Sequence, residues 1–531
     1  MTSKVVNHHH NVLSSKYYAI AIGAIMVIFI ACHWMRKAYI TYGPRKSRPS
    51  VQILVRYSRA TCRLLSSAPF GINLDRCLLY LLYWAINLII TFTNLQYNAK
   101  QVAKRFGWVC LTNLVLLVFL ALKNTPLAPL SGRSYEKLRP LHKVAGYTCI
   151  FSSVLHGVTY LGAYAAAGTI TVNMKKSADY AGGIAGVAML IIGFSTIGWF
   201  ARRFYELFYI IHILMWILIM VTVGLHRPEF AQDAVIIVIF ISALWFADRF
   251  LRSAKMCWKF FGNYATLTPM PDGAVRIHVR RGIRITPGSH AYLWIPSIRL
   301  FETHPFTAIS TDSNEFLVRK YDGFTNDLFK AAQNNPGGRV RCSLDGGYGH
   351  TPNFMNFDKI VLVAGGSGAT FTFSIALNVL KEAAAKDVTK NIDFIWSVRK
   401  HESLLWFEQE LRELDENPHV NLFIHVSQYD TPSKSSSNID STSSVEESII
   451  QDFEKGSEKI DSSIIVSGLR PGRPDIFSLV TQSISGCPLE ARIGIGACGP
   501  IAMIKTTREA VTQKGFDDGP SITLHTEEFE W

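Results

Sequence analysis

The sequence predicts an α-helical membrane bundle of about seven spans, followed by a cytosolic module: a small β-barrel, then an open parallel α/β domain. Three observations carry this prediction. Long apolar runs crowd the first half of the 531 residues, and short alternating runs fill the second. Two of the apolar runs, RPLHKVAGYTCIFSSVLHG and FYIIHILMWILIMVTVGLHRP, each hold two histidines fourteen positions apart. From residue 357, strand, glycine loop and helix alternate, beginning KIVLVAGGSGATFTFSIALNVLKEA.

The chain is 49% hydrophobic with a mean hydropathy of +0.17, and its length allows at least two domains. Its net charge of +14 comes from 54 basic and 40 acidic residues. In a membrane chain this marks anchoring at the cytoplasmic face and argues against nucleic acid as a partner. The nine cysteines are scattered and form no CxxC pair, so neither a zinc site nor a disulfide framework is indicated. The run from Tyr17 to Met35 is too long for a signal-peptide core and lacks a cleavage site, so it reads as a span. The run His8 to His10 is too short to read as a metal tract.

At about twenty residues per bilayer, spans are predicted near 17–35, 77–94, 106–122, 142–163, 180–199, 205–226 and 233–251. Arg36, Lys37, Arg45, Lys46, Arg48, Arg56, Arg59 and Arg63 follow the first span. Lys123, Arg133, Lys137, Arg139 and Lys143 follow the third, Arg202 and Arg203 the fifth, and Arg249, Arg252 and Lys255 close the seventh. With seven spans all these fall on one side, which the positive-inside rule makes cytoplasmic. Lys100, Lys104, Lys175 and Lys176 fall outside. The N-terminus is then outside and the C-terminal half cytosolic.

Fourteen residues of α-helix rise about 21 Å and rotate almost a whole number of turns. His142 and His156 therefore point the same way at two depths, as do His212 and His226. The fourth and sixth spans run parallel, so His142 is expected to pair with His212 near the cytosol and His156 with His226 near the outer face. Crosswise pairing would require a reach of about 20 Å. A lone membrane histidine often serves only as an interhelical hydrogen-bond donor. The repeated spacing instead suits axial ligation of two haems, because imidazole nitrogen is a good ligand for iron and ionisable groups at membrane depth are costly.

After the seventh span, AVRIHVRR, PGSHAYLWIP, HPFTAIS, EFLVRKYDGFTNDL and CSLDGGYG read as strands and turns of a barrel. The alternation that follows reads as a parallel α/β unit. Its loop Ala364-Gly365-Gly366-Ser367-Gly368 follows KIVLV and precedes a helix, the context in which backbone donors hold a pyrophosphate. Residues from about 431 to 462 are rich in Ser, Asp and Glu and read as a disordered insertion. Expected boundaries are 1–104 for the first spans and basic loop, 105–255 for the haem-binding core, 256–352 for the barrel and 353–531 for the nucleotide domain.

The twin histidine pairs, HPFT, GGSG, CGP and a terminal aromatic together resemble the ferric reductase and NADPH oxidase superfamily, from about residue 100 to the end. YELFYIIH and GRPD look like its fungal ferric-chelate reductase branch, and the short N-terminus is similar to a small yeast subgroup of probable metalloreductases. The resemblance implies two b-type haems on His142, His156, His212 and His226. It implies an FAD cradle at His304, Pro305, Phe306 and Thr307, and a pyrophosphate contact around Val318, Arg319, Lys320, Gly323, Phe324 and Thr325. Gly347 stands where that family usually carries proline. Gly365, Gly366, Ser367 and Gly368 would bind the nucleotide. Arg399 and Arg473, with Arg470 nearby, resemble the pocket for a 2′-phosphate, which implies NADPH. Cys498, followed by Gly499 and Pro500, would sit by the nicotinamide and align hydride transfer. Trp531 would stack on the flavin. Arg202 and Arg203 either pair with haem propionates or anchor the cytoplasmic end.

The implied activity carries electrons from cytosolic NADPH through FAD and both haems to an acceptor across the bilayer. The flavin is needed because nicotinamide gives two electrons and a haem takes one. The acceptor is either an Fe(III) or Cu(II) chelate, supplying a metal importer, or O2, yielding superoxide; YELF and GRPD favour the metal. A non-catalytic haem subunit or transporter would have no use for the full set of flavin and nucleotide motifs. The plasma membrane or the endoplasmic reticulum would hold such a chain.

Overall fold

The computed structural model describes residues 3–42, 74–133, 135–227, 232–309, 314–428, 467–488, 490–515 and 520–527. The chain divides into two compact units, 1–39 with 64–254, and 40–63 with 255–531.

Among the described residues, seven long helices build the first unit: α1 Ser3–Tyr42, α2 Leu74–Phe92, α3 Ala99–Ala121, α4 Tyr135–Ala166, α5 Ser177–Ser195, α6 Tyr205–Leu225 and α7 Gln232–Phe260. All seven are long and apolar enough to cross a membrane, as the hydropathy predicts. The ends differ from the prediction. Helix α1 begins at Ser3, so His8 to His10 lie on the helix, and α7 runs on to Phe260. Of the basic residues expected inside, Arg45, Lys46, Arg48, Arg56, Arg59 and Arg63 lie outside the described residues.

Leu111, Leu114 and Val118 of α3 pack with Ala188 and Met189 of α5, Ile219 of α6 and Ile241 of α7. Leu88, Ile191, Ile210 and Phe240 remain exposed on the outside, as lipid-facing positions must be. Polar groups turn inward. Asn113 accepts from Tyr18 Oη at 2.8 Å and Tyr83 Oη at 2.5 Å, and its amide donates to Asn87 Oδ1 at 2.8 Å. This network ties α1, α2 and α3 together, because hydrocarbon offers no alternative partners. Arg105 is 1% exposed. It donates to the carbonyls of Ile90, Thr93 and Asn94 and to Asn11 Oδ1, so its charge faces the negative end of the α2 dipole.

The second unit begins with two antiparallel sheets. Strands β1 Tyr264–Met270, β2 Ala274–Val279, β5 Glu315–Arg319 and β6 Gly338–Arg341 form one, in the order β5-β2-β1-β6. Strands β3 His290–Trp294, β4 His304–Thr307 and β7 Ser343–Tyr348 form the other, in the order β4-β3-β7. Helix α8, Phe324–Asn334, covers them, and the core is built on Ile277, Leu293, Phe316, Leu328 and Leu344. Gly347 has φ +71°. A proline, fixed near −65°, cannot take that conformation, so glycine here goes with a different turn.

The remainder is a six-stranded, all-parallel sheet of β8 Lys359–Gly365, β9 Asn391–Val398, β10 Val420–Val426, β11 Leu469–Pro471, β12 Arg492–Cys498 and β13 Ser521–Glu527, in the order β11-β10-β9-β8-β12-β13. Helices α9 Ala369–Ala385 and α10 Glu408–Asp415 lie with one buried cluster, and α11 Ile476–Ser485 and α12 Ile501–Gly515 with the other. Both faces of β8 are buried, Ile360 and Leu362 on one side, Val361 and Val363 on the other, as a sheet sandwiched between helices requires. The Ser- and acid-rich stretch at 431–462 lies outside the described residues.

One ionic knot joins barrel and sheet. Arg276 on β2 donates to Glu315 on β5 and, at 2.6 Å, to Glu410 on α10, with a further contact to Trp406 O. Trp406 Nε1 donates to Pro271 O at 2.7 Å and Ser403 Oγ to Asp272 at 3.0 Å. Glu410 is buried, so removing its cation leaves an uncompensated charge. Arg276→Met is expected to cost about 3 kcal/mol, read as a fall of several degrees in Tm for the detergent-solubilised chain; an unchanged Tm would show the knot to be dispensable.

Candidate redox sites

The four span histidines meet in two layers. The rings of His142 and His212 have centroids 6.4 Å apart, and those of His156 and His226 are 5.9 Å apart. Two imidazole nitrogens bound about 2 Å either side of one iron set ring centroids about 6 Å apart, so each layer fits bis-histidine ligation of a single metal centre. In three of the four rings the second nitrogen is hydrogen-bonded, as such ligands require. His142 Nδ1 lies 3.2 Å from Leu117 O, His156 Nδ1 2.7 Å from Ala103 O, and His226 Nδ1 2.7 Å from Ala178 O. Bonded in this way, each keeps Nε2 as the ring nitrogen available to a metal. His212 Nδ1 has no hydrogen-bond partner among the described residues.

Glycines make room for the outer pair. A Cβ on Gly107 would stand 2.9 Å from His156 Nδ1, and one on Gly182 would run into His226 Nδ1 and Cε1. Neither glycine stands out in the sequence, because the reason for it lies on another helix.

In the barrel, β4 is the HPFT run, paired antiparallel to β3 with Leu293 opposite His304 and His290 opposite Thr307. His304 stacks on Phe324 at 4.2 Å and 18°, and Phe306 lies 6.2 Å from the same ring. These side chains and the turn at Gly323, φ +71°, are thus brought together. Arg319 and Lys320 are engaged nearby. Arg319 pairs with Asp272 at 3.5 Å and lies over Trp406, while Lys320 Nζ lies over Phe329. Thr325 Oγ1 accepts from Tyr321 N–H.

The sheet order reverses between β8 and β12, and at their carboxyl ends the two glycine motifs interlock. Ala364 is paired with Cys498. A Cβ on Gly368 would stand 2.6 Å from Cys498 O, one on Gly365 2.5 Å from Pro500 Cδ, and one on Gly499 2.9 Å from Gly365 N. Gly366 has φ +55° with open space around it, and Trp396 Nε1 holds its carbonyl at 3.0 Å. Such a switch-point crevice, with α9 starting at its floor, is where α/β sheets bind nucleotides. Arg399 follows β9 and Arg473 follows β11, both exposed at this same edge. Arg470 instead lies over Phe423. Asp475 of GRPD caps α11 by accepting from Ser478 N–H at 3.1 Å. Trp531 lies outside the described residues.

Three family descriptions match in series: "Ferric reductase like transmembrane component" over residues 106–223, "FAD-binding domain" over 260–352 and "Ferric reductase NAD binding domain" over 357–512. The chain belongs to the ferric reductase family. A probable cell surface ferric reductase of Aspergillus oryzae is 27% identical over 62% of this chain and 48% of its own length. The ferric/cupric reductase transmembrane component 1 of Candida albicans is 27% identical over 81% of this chain and 58% of its own. Component 2 of Saccharomyces cerevisiae is 23% identical over 81% and 62%. The chain thus spans about half to two thirds of the curated relatives it matches.

In this ferric reductase-family chain Cys498 is fully buried. Burial, with Glu527 beside it, pushes its thiol well above the ordinary range, so it is neutral at physiological pH and packs as a small apolar group rather than a nucleophile. Iodoacetamide at pH 8 is expected to leave Cys498 unmodified in the folded chain and to label it after denaturation, read by peptide mass spectrometry. Rapid labelling of the native chain would mean the strand end is open. At the membrane site, Gly182→Leu is expected to displace His226 and, on the expectation of one haem per histidine layer, to halve the haem bound per purified chain, counted as pyridine haemochrome; a full haem count would show that the ring does not need that space.

Proposed function

We propose that this chain is a transmembrane metalloreductase, moving electrons from cytosolic NADPH through FAD and two b-type haems to Fe(III) or Cu(II) chelates on the opposite side of the membrane. The observation that carries this reading is the pair of imidazole layers, 6.4 and 5.9 Å between ring centroids, in a chain that also carries FAD- and NAD-binding domains. Relatives named ferric/cupric reductases support the acceptor class. A relative named for the cell surface supports the plasma membrane, where reduced metal would supply an importer.

When bound, the flavin accepts two electrons from nicotinamide and passes them singly to haem iron. The chain's own residues would place these groups. His142 and His212 would hold the inner iron and His156 and His226 the outer, with the carbonyls of Leu117, Ala103 and Ala178 fixing three of the rings. His304, Pro305, Phe306 and Thr307, closed by Phe324, would wall the flavin ring. Gly323 and Thr325, with Arg319 and Lys320 at the end of β5, would face its phosphates. The backbone of Gly365, Gly366, Ser367 and Gly368 and the N-terminus of α9 would take the NADPH pyrophosphate. Arg399 and Arg473 would take the 2′-phosphate. Cys498, Gly499 and Pro500 would shape the nicotinamide end, and Trp531 would cover the flavin until nicotinamide displaces it.

Membranes carrying the chain, supplied with NADPH and FAD, are expected to reduce ferric chelates, read by a ferrous-specific chelator. The signal is expected to persist without oxygen and to ignore superoxide dismutase. Signal abolished by either treatment would make the chain a superoxide-producing oxidase on the same electron path. His142→Ala is expected to abolish the reaction in a chain that still folds; unchanged activity would sink the haem relay.

A further inference from the structure

The His8 to His10 run, too short to read as a metal tract from sequence, is given a partner by the fold. Helix α1 packs its Asn7, Asn11, Ser14 and Tyr18 face inward, which brings His8 beside the start of α7. His8 Nε2 lies 3.4 Å from Asp233 Oδ2, with the two side chains 30% and 52% exposed. The His8 ring also lies 5.8 Å from the ring of Trp108. Trp108 follows Gly107, the residue whose backbone lies against His156 of the outer layer. Asp233 comes seven positions after His226, the other outer histidine. The imidazole, the carboxylate and the indole therefore stand at the outer end of the bundle, next to the outer histidine pair.

We propose that His8 and Asp233 form the docking site for the metal acceptor, a Cu(II) or Fe(III) ion delivered in a labile chelate. The inference rests on the metalloreductase reading and names where its substrate sits. Imidazole with carboxylate is a donor pair that suits Cu(II), and carboxylate suits Fe(III). Adjacent donors about 2.0–2.2 Å from a metal in tetragonal or octahedral geometry stand about 2.8–3.1 Å apart, so the two half-exposed side chains, 3.4 Å apart here, need to close by only a few tenths of an ångström. Two protein donors leave the remaining positions to the chelator, so the metal can be exchanged rather than stored. Lys104 and Lys100 lie one and two turns before Trp108 on α3 and attract anionic chelates to this end. The docked metal would take one electron, Cu(II) going to Cu(I) or Fe(III) to Fe(II), from the haem that His156 and His226 would hold, and no covalent bond to the protein would form. On a helix only one of three consecutive histidines can face Asp233, and here it is His8.

The test uses the full chain purified in detergent. Cu(II) is titrated against a chromophoric competitor, its ligands are read by nitrogen superhyperfine structure in the EPR spectrum, and the haem absorbance spectrum checks folding. His8→Ala and Asp233→Asn are each expected to weaken Cu(II) binding by about tenfold or more. Both should raise KM for cupric and ferric chelates while kcat and the haem spectrum hold. A His9→Gln/His10→Gln double variant is expected to change neither. Cu(II) binding that survives His8→Ala, or that is lost in the double variant instead, overturns the proposal in favour of surface imidazoles. A wild-type chain that holds Cu(II) through His8 yet reduces no metal sinks the metalloreductase reading and leaves the site. A chain that reduces chelates with a KM indifferent to His8 and Asp233 sinks the site and leaves the reading.

Discussion

A bare imidazole nitrogen inside hydrocarbon is costly, and this bundle depends on how three of its four layer histidines meet that cost. The bonds from His142 and His156 to Leu117 O and Ala103 O come from α3, and that from His226 to Ala178 O comes from α5. Two helices that carry no histidine therefore set the ring planes of two that do. An unsatisfied polar group in lipid costs several kcal/mol, so α3 and α5 cannot slide by a turn without losing these acceptors. The same contacts explain why Gly107 and Gly182 sit where the helices come closest.

The soluble half meets a different constraint with the same device. A phosphate can be held by backbone N–H groups only where the backbone is bare, and two strands must end side by side for a ring to reach both. Gly365, Gly368 and Gly499 allow this because any Cβ would strike the neighbouring loop. Gly366 is different: its freedom is torsional, at φ +55°. The loop is thus made of glycines with two separate jobs, closeness and turning, and a single alanine scan would report both as one loss.

Much of this was legible in the sequence because it is local. Apolar runs mark spans, a fourteen-residue period keeps two histidines on one face, and strand–glycine–helix marks the parallel unit. What was not legible is carried by contacts across distant segments. Arg105 lies just ahead of the predicted third span and gave no signal, since its partners are backbone carbonyls of another helix. The Arg276–Glu410 pair joins residues 134 apart. His8 lies in a tract too short to signal a metal, and its neighbour Asp233 is 225 positions away, brought to it by an α1 that begins at Ser3. Arg319 and Lys320 were expected at phosphates from their place in the chain, and the structure shows each also engaged by an acidic or aromatic neighbour.

Arg105 also bears on the orientation argument. The positive-inside rule counts cations near span ends because each keeps its charge in water or at a headgroup. Arg105 does neither: it is buried and faces the carboxyl end of α2, where the helix dipole supplies roughly half a negative charge. Its donors are shared among three carbonyls and Asn11, with no carboxylate among them. A cation held this way is a fastening between α1, α2 and α3, and its charge should not be counted for topology. Set aside, it leaves Lys100 and Lys104 on α3, which lie on the predicted outer side where an anionic metal chelate would arrive. Of the four cations that blur the inside-positive pattern, Lys100 and Lys104 thus have a reading in the substrate they would face, and Lys175 and Lys176 stay as exceptions.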